Sequence, residues 1–131
     1  MQYLTQDEIL DLHMLAIERF GGRLGIKSQD KLRSVISAPQ QIIFGAELYA
    51  DIASKAAVIG FQMLKNRPFL SGNEATALLA VLRFLDMNDV PLNAGLVDEL
   101  ADQLQAVLRS HLDRDGLALW LRERLEVGVE E

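Results

Sequence analysis

The chain has 131 residues, enough for one domain that buries about two-thirds of the surface of its unfolded chain. It contains no cysteine, which excludes disulfides, a thiol nucleophile and thiolate metal sites, and its net charge of −6 argues against a partner held through nucleic-acid phosphates. Half of its residues are hydrophobic but only 6% are aromatic, a composition typical of packed helices.

No segment has the character of a membrane span or an export signal. No run approaches the roughly 18 consecutive apolar residues that a membrane helix needs. The N-terminal residues M-Q-Y-L-T-Q-D-E lack the basic region and the apolar run of a signal peptide. We therefore expect a cytoplasmic protein with no membrane partner and no nucleic-acid partner.

Local signals define the first helix at both ends. Thr5 and Glu8 have the spacing of a capping box, and apolar residues then recur every three or four positions. The pair Gly21-Gly22 should end the segment. We predict a helix over about residues 6–20.

A second, shorter helix and an extended flap should follow. Ser28 or Asp30 can cap a helix that ends before Pro39, because the residue before a proline disfavours helical backbone. The next segment holds a β-like apolar cluster that is too short for a sheet, and we predict an extended flap or a single hairpin. The cluster could receive an extended peptide by strand addition or could cover the core. Its members are Ile42, Ile43 and Phe44.

Two core helices and the loop between them form the centre of the chain. Residues 51–66 are apolar on nearly every face, which predicts a buried helix, and a second apolar helix should run on to about Asn88. Between them lies the loop K-N-R-P-F-L-S-G-N-E-A-T-A, at residues 65–77. Pro68 cannot continue a helix and Gly72 permits a positive φ, so the backbone must turn here.

This loop has the chemistry of a potential anion site. Ser71 and Glu74 have the spacing of another capping box, which predicts a helix start near Gly72 or Asn73. The amides of a first helical turn have no internal partner and carry partial positive charge, so they can hold an anion. On residue chemistry alone, a structural turn capped by its own side chains is the favoured interpretation.

Two amphipathic packing helices should complete the chain over residues 93–131. The last should begin after Asp113 or Asp115 as its cap. His111 continues the apolar stripe of the preceding helix, so we expect it to pack rather than to catalyse. The other histidine, His13, is distant in the chain, and without an H-E-x-x-H pattern the sequence predicts no metal site.

Several runs of residues resemble a known family in their order and spacing. They are L-H-M-L-A-I-E-R-F-G-G at 12–22, A-P-Q-Q at 38–41, F-G-A-E-L-Y at 44–49 and N-R-P-F-L-S-G-N at 66–73. Together they are similar to the death-on-curing proteins, the Doc branch of the Fic superfamily, over about residues 3–92. The resemblance implies a single all-α Fic/Doc-type domain over residues 1–131, with a central helical hairpin that carries the active-site loop and a short extended flap.

The family resemblance also implies a chemistry. Members with a complete loop read H-P-F-x-D-G-N-K-R-T-A and transfer a phosphoryl group, or a nucleotide monophosphate, from a nucleoside triphosphate to a protein hydroxyl. The resemblance thus implies ATP and Mg²⁺ as cofactors, elongation factor Tu as a target, and an antitoxin peptide bound along a groove. It also favours strand addition at the flap, because targets dock there in this fold.

Residue by residue, the chain keeps the frame of this loop and loses its reactive groups. It keeps Pro68, Phe69, Gly72, Asn73, Thr76 and Ala77. The family's His, Asp, Lys and Arg are replaced by Arg67, Ser71, Glu74 and Ala75. A guanidinium stays protonated and cannot act as a base, a serine hydroxyl is a weaker Mg²⁺ ligand than a carboxylate, and a glutamate repels phosphate.

We therefore expect no intact catalytic residue and no metal site, and the substitutions argue against ATP and Mg²⁺ as cofactors. The loop still offers candidates for binding an anion or another ligand, namely Arg67, Phe69, Ser71, Gly72, Asn73 and Glu74. The leading hypothesis is a catalytically impaired Doc-like toxin-family protein that binds a protein partner or an anionic ligand in a toxin–antitoxin or regulatory context. One alternative is an active transferase with a substitute base such as His13, which we expect to be a structural hydrogen-bonder. Another is a structural subunit of an oligomer.

Overall fold

The computed structural model describes the backbone of residues 1–130 and the side chains of residues 1–126. Within this part the chain forms six α-helices, one 3₁₀ helix and one two-stranded hairpin, so the prediction of an all-α domain is confirmed. None of the helices described is both long and apolar enough to cross a membrane. The elements are α1 (Gln6–Phe20), α2 (Gln29–Ser37), the 3₁₀ helix (Ala38–Gln40), β1 (Ile42–Ile43), β2 (Ala46–Glu47), α3 (Ile52–Asn66), α4 (Asn73–Met87), α5 (Ala94–Leu108) and α6 (Arg114–Glu130).

Local caps set the start of several helices. Thr5 Oγ1 accepts a hydrogen bond from the Glu8 amide, and the Glu8 carboxylate accepts one from the Thr5 amide, so the predicted capping box opens α1. Ser28 caps α2, and the Asp113 carboxylate accepts a hydrogen bond from the first turn of α6. In both of these helices the structure selects the first of the two caps that the sequence allowed.

The central hairpin of α3 and α4 organises the core, and the other helices pack around it. Most of α3 is buried, as the sequence predicts. Gly60 of α3 permits the close packing, since a Cβ atom there would lie 3.0 Å from Val81 Cγ2 in α4 and 3.2 Å from Leu104 Cδ2 in α5. Three helices therefore meet at one small residue near the centre of the domain.

One charged side chain lies inside this core. Lys55 of α3 is 1% exposed, and its Nζ atom donates hydrogen bonds of 3.0 Å to the Pro39 carbonyl and to Glu47 Oε1. Burial by itself would lower the pKa of Lys55, but contacts with Glu47 and Tyr3 outweigh burial and raise the pKa. The Lys55 ammonium therefore stays charged and ties the hairpin to the central helix.

The flap is a single β-hairpin. Ile42 pairs with Glu47 and Ile43 pairs with Ala46, while Phe44 turns the chain with a positive φ of 52°. The side chains of Ile42, Ile43 and Phe44 are 66, 47 and 104% exposed. The hairpin therefore does not cover the core, which removes one of the two roles considered for this segment.

His111 does not pack in the core. The helix α5 ends at Leu108, Ser110 adopts a positive φ of 60°, and His111 is exposed in the turn that follows. The prediction that His111 continues the apolar stripe is wrong because the helix ends before the stripe reaches it.

Candidate active-site loop

The loop between α3 and α4 is held by backbone hydrogen bonds to the segment that follows α1. The Pro68 carbonyl accepts hydrogen bonds from the amides of Lys27 and Ser28 at 2.7 and 3.1 Å. The Leu70 amide donates to the Gly25 carbonyl at 3.0 Å. Backbone groups therefore hold Pro68 and Leu70 of the loop in place.

Asn73 fastens the loop from the inside. Its side chain is 1% exposed, its Oδ1 accepts a hydrogen bond from the Phe69 amide, and its Nδ2 donates to the Phe69 carbonyl, both at 3.0 Å. Because buried polar groups need partners, this two-way contact fixes Phe69 against the start of α4. Asn73 is a structural member of the candidate site.

The predicted capping box of Ser71 and Glu74 is not formed. The helix α4 begins at Asn73 as expected, but Gly72 takes the capping position with a φ of 73°, and no side chain caps the first turn. The Ser71 hydroxyl instead accepts a hydrogen bond from the Arg23 amide and donates one to the Arg23 carbonyl. The predicted boundary is confirmed and the predicted cap is wrong, because Ser71 finds both partners in a distant part of the chain.

Arg67 and Glu74 face each other across the mouth of the loop. The Nη1 atom of Arg67 lies 3.1 Å from Oε1 of Glu74, and the two side chains are 47 and 41% exposed. Burial would raise the pKa of Glu74, but its own backbone amide and the Arg67 guanidinium outweigh burial and lower the pKa. A charged carboxylate therefore stands at the first turn of α4, where the helix end would otherwise favour an external anion.

His13 supports the loop from α1. It is 1% exposed, its Nε2 accepts a hydrogen bond from the Gly25 amide, and its Nδ1 lies 3.3 Å from Thr76 Oγ1. This pattern places the ring proton on Nδ1, and burial lowers the pKa of His13. The expectation that His13 is a structural hydrogen-bonder is confirmed, since both ring nitrogens are engaged.

An apolar surface lies beside the loop, between α1 and α4. Leu15 and Phe20 of α1 and Leu79 of α4, with Arg19 at the edge, line a depression of about 440 Å³. Phe20 is 76% exposed, so this surface presents a large aromatic side chain to solvent. We refer to this surface as the α1–α4 groove.

The structure does not bring the flap residues into the loop. Glu47 at the base of the flap is bonded to Lys55, which precedes the end of α3 at Asn66 by about 16 Å of helix. No hydrogen bond or ion pair joins the flap to residues 67–74 in the part of the chain whose side chains are described. Within that part, no three Asp, Glu or His side chains gather as a metal ion would require.

This architecture, a helical domain whose central hairpin carries a P-F-x-x-G-N turn, agrees with the family that the sequence resembles. A sequence profile described as the Fic/DOC family matches residues 3–85, and the chain belongs to that family. It is also similar to the protein named Toxin Doc from Mycolicibacterium smegmatis (strain ATCC 700084 / mc(2)155), with 30% identity over 118 residues. That match covers 89% of this chain and 88% of the relative, so the prediction of the Doc branch is confirmed.

Proposed function

We propose that this protein is a Doc-family domain without transferase chemistry that acts by binding a protein partner. The observation that carries the proposal is the ion pair between Arg67 and Glu74. Arg67 puts a guanidinium at the position where the family resemblance implies a catalytic base. Glu74 puts a carboxylate at the position where the resemblance implies a phosphate-binding lysine.

Neither Arg67 nor His13 is placed to supply the base that transfer requires. Arg67 offers a guanidinium, which has donors and no acceptor and so cannot take a proton from an attacking hydroxyl. His13 is buried, and its two ring nitrogens are already hydrogen-bonded to the Gly25 amide and to the Thr76 hydroxyl. These contacts argue against an active transferase that uses His13.

The residues present also do not fit ATP and Mg²⁺. The Ser71 hydroxyl, which stands where the family has its aspartate, is bonded in both directions to the Arg23 backbone. Ala75 offers a methyl group, and the Glu74 carboxylate occupies the positive end of α4. A nucleoside triphosphate would have to displace Glu74 and would then meet its negative charge.

The partner would lie in the α1–α4 groove beside the loop. A segment of the antitoxin kind could place apolar side chains against Leu15, Phe20 and Leu79, as amphipathic helices do in other grooves. The exposed flap, with Ile42, Ile43 and Phe44, is a second docking candidate for an extended peptide.

The absence of transfer is tested with labelled ATP, Mg²⁺ and elongation factor Tu. We expect no label on the target with the natural chain. A variant with Arg67→His, Ser71→Asp, Glu74→Lys and Ala75→Arg restores the family's loop on the same frame and should transfer label. Stoichiometric transfer by the natural chain, lost on Asn73→Ala, would show that the proposal is wrong.

The docking surface is tested by coexpression with the product of the adjacent upstream reading frame. We expect a complex that survives Phe44→Ser in the flap and is lost with Phe20→Ser in the groove. These two exposed phenylalanines are matched in residue type and differ in place. If only Phe44→Ser abolished the complex, the docking site would be the flap and not the groove.

A further inference from the structure

A second cavity lies at the other end of α3, away from the loop. It has a volume of about 280 Å³ and is lined by Leu48, Tyr49, Ser54, Arg114, Asp115 and Ala118. Ser54 lies in the first turn of α3, so about 18 Å of helix separates it from the end of α3 where the loop begins. We call it the Arg114 cavity.

Hydrogen-bond donors converge on this cavity. The Tyr49 hydroxyl accepts a hydrogen bond from Arg114 Nη1 at 3.2 Å, and the Ser54 hydroxyl accepts one from Arg122 Nη2 at 3.0 Å. The Tyr49 hydroxyl therefore uses an acceptor lone pair and keeps its proton for donation. Among residues 1–126, the Tyr49 hydroxyl donates to no other protein group, whereas the Ser54 hydroxyl also contacts the Asp51 carboxylate. The Tyr49 O–H group and the Arg114 guanidinium thus line one space.

The helices that meet here add positive partial charge. The helix α3 starts at Ile52 and α6 starts at Arg114, so the positive ends of both macrodipoles lie at the cavity. Both helix ends already carry a carboxylate: Arg122 and the Ser54 amide hold that of Asp51 at α3, and Asp113 accepts a hydrogen bond from the first turn of α6. That arrangement lowers the pKa of Asp51, chiefly through its hydrogen bond from Arg122.

The contact between Arg114 and its acidic neighbour Asp115 is weak. Its Nε and Nη2 atoms lie 3.4 Å from Asp115 Oδ1, longer than the roughly 2.7–2.9 Å of a firm charge-assisted hydrogen bond. Asp115 is 84% exposed in its side chain, so it can turn to solvent at little cost. A ligand carboxylate could take its place on Arg114.

We infer that the Arg114 cavity binds a small organic carboxylate, held by the Tyr49 hydroxyl and by the Arg114 guanidinium. A single negative charge matches one loosely held guanidinium, whereas a phosphate dianion would also face the carboxylates of Asp51 and Asp115. The apolar part of the ligand would lie against Leu48 and Ala118. A cavity of 280 Å³ accommodates a body of about one ring, since cavities near 150 Å³ take up benzene. This site is independent of the function proposed for the loop.

The test is a titration of the ¹⁵N-labelled full chain, followed by amide chemical shifts. The probes are benzoate, benzyl alcohol as its neutral counterpart, and inorganic phosphate. We expect saturable shifts for benzoate at the amides of Leu48, Ser54 and Ala118, and much weaker binding of benzyl alcohol and phosphate. Shifts from benzoate that centre on the loop amides at 72–75 would overturn the inference.

Variants separate a built site from general charge attraction. Tyr49→Phe keeps the ring and removes only the hydroxyl, and should weaken benzoate binding about three- to tenfold. Arg114→Gln should weaken it at least about tenfold. Arg109→Gln removes the same charge from an exposed arginine that does not line the cavity and should leave binding unchanged.

Asp115→Asn should strengthen benzoate binding about twofold or more by removing the competing carboxylate. Thermal unfolding of each variant shows whether it is folded. The inference is overturned by equal binding of benzyl alcohol, by tighter binding of phosphate, by equal effects of Arg109→Gln and Arg114→Gln, or by no saturable shift in the natural chain. Glu74→Gln should leave benzoate binding at the amides of Leu48, Ser54 and Ala118 unchanged, which keeps this test apart from that of the loop.

Discussion

The imidazole ring of His13 lies flat against the phenyl ring of Phe69, with ring centroids 3.8 Å apart and ring planes 9° apart. The contact joins α1 to the loop across 56 residues of sequence. Phe69 is also 1% exposed and bonded to Asn73. Core contacts of this kind hold the loop in shape.

Replacing Glu74 should open the loop to anions. Glu74→Gln removes the carboxylate from the first turn of α4 and releases Arg67, so inorganic phosphate should bind at least about tenfold more tightly than to the natural chain. Phosphorus NMR line widths measure this binding. Glu18→Gln, an exposed change on α1, is the control. Equal phosphate binding by both variants would mean that Glu74 does not block the site.

The His13 pocket should make stability depend on pH. Burial lowers the pKa of His13 below its ordinary 6.5, so the unfolded chain takes up a proton more readily than the folded one. The contribution of His13 to the free energy of unfolding should therefore be complete above about pH 6.5. It should fall as the pH drops from there through the lowered pKa.

Urea unfolding between pH 5 and 8 measures this effect. His13→Gln should remove that part of the pH dependence, and His111→Gln, at an exposed histidine, should leave it unchanged. An identical pH profile for the natural chain and His13→Gln would contradict the prediction.

The Asn73 contact should matter for folding as well as for the site. Asn73→Ala leaves the amide and the carbonyl of Phe69 buried and unpaired, so the free energy of unfolding should fall by about 2–4 kcal/mol. Asn66→Ala removes a less buried hydrogen bond to Gln62 and should cost less than about 1 kcal/mol. Chemical denaturation gives both values, and equal costs would contradict the structural role of Asn73.

The position of the flap should depend on Lys55 and Glu47. Glu47→Gln leaves the buried ammonium without its counter-charge and should lower the free energy of unfolding by about 1–2 kcal/mol. The Leu48 amide, which donates to the Gln41 carbonyl at the base of the hairpin, should exchange its hydrogen at least about tenfold faster.

Hydrogen exchange with residue resolution tests the Glu47 prediction. Glu123→Gln, an exposed change on α6, should leave the Leu48 amide unaffected. Faster exchange throughout α3 and α4, with no larger effect at Leu48, would show general destabilisation instead of a released flap.

The ends of the helices could be read from local chemistry, and the cap of α4 shows the limit of that reading. Thr5 and Glu8 are neighbours in space because they are neighbours in sequence, so their capping box forms as predicted. Ser71 has the same spacing to Glu74, yet it bonds to Arg23, a partner 48 residues away. Spacing indicates which contacts are possible, but packing selects among them.

His13 and His111 illustrate the same limit. The spacing of Ile9, His13 and Ala16 follows one helical face, and all three are buried, so this period could have shown that His13 points inward. His111 continues a similar period, but the chain leaves the helix after Leu108 and turns at Ser110. A periodic pattern therefore predicts burial only while the helix continues.

The sequence by itself determined the helical architecture, the turn at Pro68 and Gly72, and the family. These follow from residue type, backbone limits and short-range spacing, which act within a few positions of the chain. Only the tertiary structure decided that Glu74 pairs with Arg67, that His13 supports Phe69, and that Tyr49, Ser54 and Arg114 line one cavity. Such contacts depend on how helices distant in sequence pack against each other, and no local pattern specifies that geometry.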